Sequence, residues 1–111
     1  MPTGIIVPDV SRVTIAASSS GANTLVAAVT GKKIKIVNFI VSASAAVNFK
    51  FQSHVTPTDI TGLFYLAAAG SSMGAANDFV GWGATLSGEA LDINLSGAVA
   101  VGGVLHYVTV A

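Results

Sequence analysis

Apolar and polar residues alternate with a period of two along most of this chain, in short runs separated by turn residues. In 12–17, Val13 and Ile15 share one face; a polar loop, 18–23, precedes a second apolar run at 24–29. In 33–43 the phase changes midway. Ile34 and Ile36 lie on one face, and Val37, Phe39 and Val41 continue in the opposite phase, which predicts a β-bulge. The segment 46–52 is the clearest strand, with Val47, Phe49 and Phe51 on one face and Asn48, Lys50 and Gln52 on the other. Further strands are predicted at 63–67, 79–85, 90–95 and 102–110. Loops are expected at 53–62, which contains Pro57, and in the small-residue segment 68–78. In 90–95, Leu91, Ile93 and Leu95 face the core while Asp92 and Asn94 face outward.

No helical period competes with this pattern, because Gly70 and Gly74 interrupt the Ala-rich patches. About eight short strands in 111 residues predict an all-β fold, a β-sandwich of jelly-roll type. Pro2 and Pro8 bracket an apolar "TGIIV", so residues 1–12 are expected to form an extended arm and 13–111 a single domain. The arm offers Ile5, Ile6 and Val7 as partner contacts.

Composition sharpens the picture. Hydrophobic residues make up 52% and charged residues only 9%, with a mean hydropathy of +0.74. An average soluble domain is about 25% charged. A surface so poor in charge tends to associate, so a closed oligomer, most simply a trimer, is expected. Formal net charge is zero, which gives no long-range attraction to nucleic acid or an anionic membrane. The longest apolar runs fall short of a membrane helix, and the first residues lack the basic segment of a signal peptide. All five bases lie within residues 1–50, and four of the five acids lie after them. Cross-strand neutralisation within one fold accounts for this division, and opposite patches meeting in an oligomer are the alternative. Lys32 and Lys33, in the turn "TGKK", are candidate partner contacts.

Candidate chemistry is sparse. With no cysteine, thiolate metal sites and disulfides are excluded. His54 lies five residues from Asp59, and His106 lies in the last strand; brought together, the three would hold a metal, but an exposed loop polar and a half-buried strand polar describe the histidines better. Glu89 and Asp92 are a carboxylate pair without cleft walls around them. "TGKK" lacks the upstream glycine of a phosphate loop, since position 26 is Val, and no serine lies in G-x-S-x-G. No catalytic residue, cofactor or metal ligand is assigned. Trp82, between Gly81 and Gly83, is expected to anchor the core, with an interface anchor as the alternative.

Three segments, "KIKIVNFIVSASAAVNFKFQS", "DITGLFYLAAAG" and "VGWGATLSGEALDINLSGAVAVGGVLHYVTV", carry a resemblance. Across residues 31–111 the chain resembles small virion proteins of tailed bacteriophages, of the head decoration or cement type. The resemblance implies a jelly-roll or β-sandwich trimer on a capsid surface, made in the host cytoplasm. It implies the major capsid protein and further copies of the chain as partners, and no catalysis. A carbohydrate-binding or host-adhesion module of a phage tail or head fibre is the alternative, since a jelly roll serves both roles.

Overall fold

The structure is a computed structural model that describes residues 10–55, 57–70, 72–75 and 83–111. The described residues form nine strands and no helix: β1 (Ser11–Ala17), β2 (Gly21–Val26), β3 (Lys33–Ala43), β4 (Val47–Ser53), β5 (Thr58–Asp59), β6 (Phe64–Leu66), β7 (Ser72–Ala75), β8 (Leu91–Leu95) and β9 (Val101–Val110). Every pairing is antiparallel. One sheet has the order β1-β9-β3-β7 and the other β2-β8-β4-β5, with β6 also on β4.

Strands β5 and β6 are two pieces of one broken strand. Both occupy the β4 edge opposite β8, β5 against Gln52 and Ser53 and β6 against Val47 to Phe49. Counted together they leave eight strands, and the chain changes sheet at every connection except the one out of β4. That is a jelly roll. The fold expected from alternation is the fold observed.

Alternation places the core. Ile15 from β1, Ile34, Ile36, Phe39 and Val41 from β3, and Leu105 from β9 face Phe49 and Phe51 from β4 and Leu91, Ile93 and Leu95 from β8. The two sheets are stitched by rings. Phe39 meets Phe51 at 4.9 Å between centroids with planes at 66°, and Phe49 at 6.4 Å with planes at 88°. Edge-to-face contacts of this kind add to the stabilisation that burial alone provides.

The predicted bulge lies in the middle of β3. Its register against β9 shifts between Ile36, opposite Tyr107, and Asn38, opposite His106, so Ile36 and Phe39 both reach the core. Just beyond it, Gly103 sits opposite both Ile15 and Val41 with φ +150°, a conformation open to glycine and strained for other residues.

Several boundaries differ from the periodic reading. β1 begins at Ser11, so Ser11 and Arg12 belong to the sandwich; residues 1–9, with Ile5, Ile6 and Val7, lie outside the described residues, as does Trp82. β2 occupies 21–26 and not 24–29, with a register shift between Thr24 and Val26. β5 and β7 fall in segments expected to be loops. Of the strand expected at 79–85, residues 83–85 are described, and they form a single bridge, Ala84 to Lys35. This short ribbon is held to β3 by Ile36 N–H to the Gly83 carbonyl at 3.0 Å and Ile34 N–H to Thr85 Oγ1 at 2.9 Å.

Candidate functional site

The outer face of the β2-β8-β4-β5 sheet carries the richest chemistry. The period of two that buries Leu91 and Ile93 sends Asp92 and Asn94 outward, and likewise sends Lys50 and Gln52 outward from β4. Register then sets Asp92 between Thr24 and Gln52, and Gln52 between Asp92 and Asp59. A ladder of side-chain hydrogen bonds results. Asn94 Nδ2 donates to Gln52 Oε1 at 2.9 Å, Gln52 Nε2 to Asp59 Oδ1 at 2.8 Å, and Lys50 Nζ reaches Asp59 Oδ1 at 3.0 Å. The amide and ammonium donors around Asp59, Gln52 first and Lys50 second, hold its carboxyl below the usual carboxylate range.

Asp92 is expected from its phase to be exposed, yet only 1% of it is. Thr24 Oγ1 donates to one carboxylate oxygen at 2.9 Å, and His54 Nδ1 sits 2.6 Å from the other. The loop after β4 folds back over β8 and closes this carboxylate off. Beside it, Glu89 accepts from Ser53 Oγ at 2.7 Å and from the Val55 amide at 3.2 Å, while Ser53 Oγ accepts from the Leu86 amide at 3.0 Å. Both carboxylates therefore act as clasps that fix the loops 54–55 and 86–90 to the strand ends.

The His54 ring is raised above the ordinary histidine pKa, chiefly by its hydrogen bond to Asp92, then by the charge of Asp92, with a smaller push from Glu89. A histidine raised on folding contributes stability that is full below its unfolded pKa of about 6.5 and is lost as pH rises through the folded value. Melting temperature is therefore expected to fall as pH rises from about 6.5 through the raised value. His54→Gln, which keeps a neutral donor, is expected to flatten that limb of a melt series run from pH 5 to pH 9.

The structure separates the three residues that the sequence offers as a metal set. Asp59 lies in β5 and His54 in the turn after β4, but His54 pairs with Asp92; His106 lies on the outer face of the other sheet, with Nδ1 2.6 Å from Asn38 Oδ1. Among the described residues no cluster of three His, Cys, Asp or Glu side chains forms. Glu89 and Asp92 are each engaged with strand and loop partners, and a hollow of ≈ 230 Å³ lies elsewhere, lined by Ala16, Ala17, Ser18, Ala100 and Val101, none of which titrates. The alternation around Lys50 holds, since Phe49 and Phe51 are buried on the opposite face.

The two ends of the sandwich differ. The connections 18–20, 44–46, 67–70 and 96–100 meet at one end, tied by Ser44 N–H to the Ala100 carbonyl at 2.9 Å and Gly70 N–H to the Ala43 carbonyl at 2.9 Å. They consist of Ser, Ala, Gly and one Val, with no charge and no ring. The other end holds Lys32 and Lys33, both exposed, together with His54 and Glu89. Neutralisation across strands occurs once among the described residues, at Lys50–Asp59. Comparison of the chain with protein-family models, with curated proteins and with solved structures finds no match.

Proposed function

We propose that this chain is a structural virion protein that decorates a phage capsid and stabilises it by binding between capsomers, as a closed oligomer, most simply a trimer. The charge-free end carries the reading. Four connections from both sheets converge there with small side chains and no charge, and a surface of that kind is suited to being covered by protein. The resemblance of residues 31–111 to phage decoration proteins and the jelly-roll frame agree with it. In this reading Ile5, Ile6 and Val7 of the arm and Lys32 and Lys33 of the turn supply further contacts to the major capsid protein and to neighbouring copies. The chain acts by attachment and not by catalysis, on the capsid surface, after synthesis in the host cytoplasm. Many copies bound to one lattice turn modest single contacts into firm attachment.

A second reading has one observation in its favour. Tyr65 is 69% exposed on the polar sheet face, directly opposite Asn48, and an exposed ring beside an amide is the kind of platform that sugars stack on. It supports the carbohydrate-binding, host-adhesion alternative.

Heating particles with and without the protein tests the first reading. A ligand that binds only the assembled shell stabilises it by mass action, so particles carrying the protein are expected to survive to a higher temperature. In sedimentation the purified protein is expected to run as a single oligomer larger than one chain. Equal heat resistance and a stable monomer at micromolar concentration would transfer the weight to adhesion, and a Tyr65→Ala effect on glycan binding would then decide it.

A further inference from the structure

The outer face of the β1-β9-β3-β7 sheet contrasts with the polar face opposite. Its four strands contain no Asp or Glu. The described acids, Asp59, Glu89 and Asp92, all belong to the other sheet or to the loop entering it, and each has side-chain partners there. The alternation that buries Val13, Ile15, Ile34 and Ile36 points Arg12, Lys33 and Lys35 outward on this face. None of the three meets an acid among the described residues, and Lys32 follows the same rule in the adjoining turn. Toward the charge-free end, the same face carries Ile40, 57% exposed and opposite the half-buried Val104. An exposed aliphatic side chain on the same face as bases that meet no acid among the described residues suits a docking face.

We infer that this face docks on an acidic protein surface, with Ile40 and Val104 against an apolar patch and Arg12, Lys33 and Lys35 against carboxylates beside it. The inference rests on the virion reading and adds the chemistry of the partner. Protein is favoured over nucleic acid because the exposed Ile40 gains nothing from a phosphate backbone, and because the ring of Tyr107 packs against the core and supplies no stacking platform. A bilayer is disfavoured by three cations and one exposed aliphatic side chain, too little for stable surface binding.

The test uses the whole chain, the triple variant Arg12→Ser/Lys33→Ser/Lys35→Ser, and Ile40→Ser, each checked for folding by its melt. The soluble probe is fluorescein-labelled poly-L-glutamate, read by anisotropy, beside duplex DNA and phosphatidylserine vesicles. Wild type is expected to bind polyglutamate, to lose about tenfold in affinity over a severalfold rise in salt, and to lose binding in the triple variant, while Ile40→Ser leaves it unchanged. On particles stripped of the protein, the triple variant and Ile40→Ser are both expected to bind at least about tenfold more weakly. Tighter binding to DNA or vesicles than to polyglutamate, or equal binding of wild type and triple variant to polyglutamate, overturns the inference. Particles that capture both equally overturn the inference and leave the virion reading standing. Particles that capture neither, with polyglutamate binding still dependent on the three bases, defeat the virion reading and leave the acidic-partner face in place.

Discussion

Gly103→Ala is expected to lower stability by roughly 3 kcal/mol or more, from backbone strain and forced overpacking acting together. Two features set the size. The residue holds φ +150° within the strand β9, which costs any residue with a Cβ. A Cβ built there would fall on the Ile40 carbonyl oxygen, with the Ile40 carbonyl carbon at 2.8 Å and Val41 Cα at 3.1 Å. These are backbone atoms of the strand paired to β9, and they move only if the β3–β9 ladder opens. Gly102 is the internal control. Its Cβ would meet only the Ile15 carbonyl oxygen at 3.8 Å, so Gly102→Ala is expected to change stability by less than about 1 kcal/mol. Urea denaturation of the two variants beside wild type measures the contrast; equal midpoints would mean that β9 passes Ile40 with more room than the backbone shows.

Phe39→Ala is expected to cost about 3–5 kcal/mol, the range for deleting a buried large aromatic. The position is severe because the ring belongs to one sheet and its neighbours to the other. Phe51 lies at 4.9 Å, Phe64 at 5.8 Å and Phe49 at 6.4 Å, centroid to centroid, the last at an interplanar angle of 88°. Alanine removes the ring that all three abut and leaves a void between rigid sheets that have no way to close it. Phe39→Leu, which keeps most of the volume, is expected to cost about 1–2 kcal/mol. At about 4 °C per kcal/mol, the alanine variant is expected to melt roughly 12–20 °C lower. A drop no larger than that of the leucine variant would show that the rings repack.

Where side chains alternate about a buried face, the sequence displays the structure. β3, β4, β8 and β9 are legible to within a residue, and the phase change at Val37 marks the bulge. The elements that escape are held by backbone and not by pattern. β7 pairs with Phe39 to Ser42 through residues "SMGA", which have no periodicity to read, and β5 is two residues long. β2 begins within "GAN", because an edge strand needs only one apolar face and its first residues pack little. The same limit hides the polar network. His54 has Asp59 nearby in sequence, but its partner is Asp92, 38 residues on, and no local signal announces that pairing. Only the outward phase of Asp92 in "ALDINL" marks it as available to a neighbouring strand or loop. The basic outer face was half legible, since the bases cluster in the first fifty residues, but the strand order that gathers Arg12 and Lys35 on one sheet belongs to topology.

The place of β9 between β1 and β3 governs how the chain comes together during synthesis. Ser11 has its hydrogen-bonding neighbour at Tyr107, and Lys33 has its own at Val110. Until residues 101–110 leave the ribosome, β1 and β3 both present open edges, and the sheet that unites them has no centre. The β2-β8-β4-β5 sheet and the β3–β7 pair need no residue of β9, but β1 stays without a strand neighbour in its sheet until residues 101–110 insert between it and β3. Such sequence-distant pairing makes folding slow, and an open edge beside a 52% hydrophobic composition makes the waiting chain prone to aggregate. Ribosomes translating one message in succession would bring many such chains close together, so the rate at which β9 inserts competes directly with the rate at which neighbours meet.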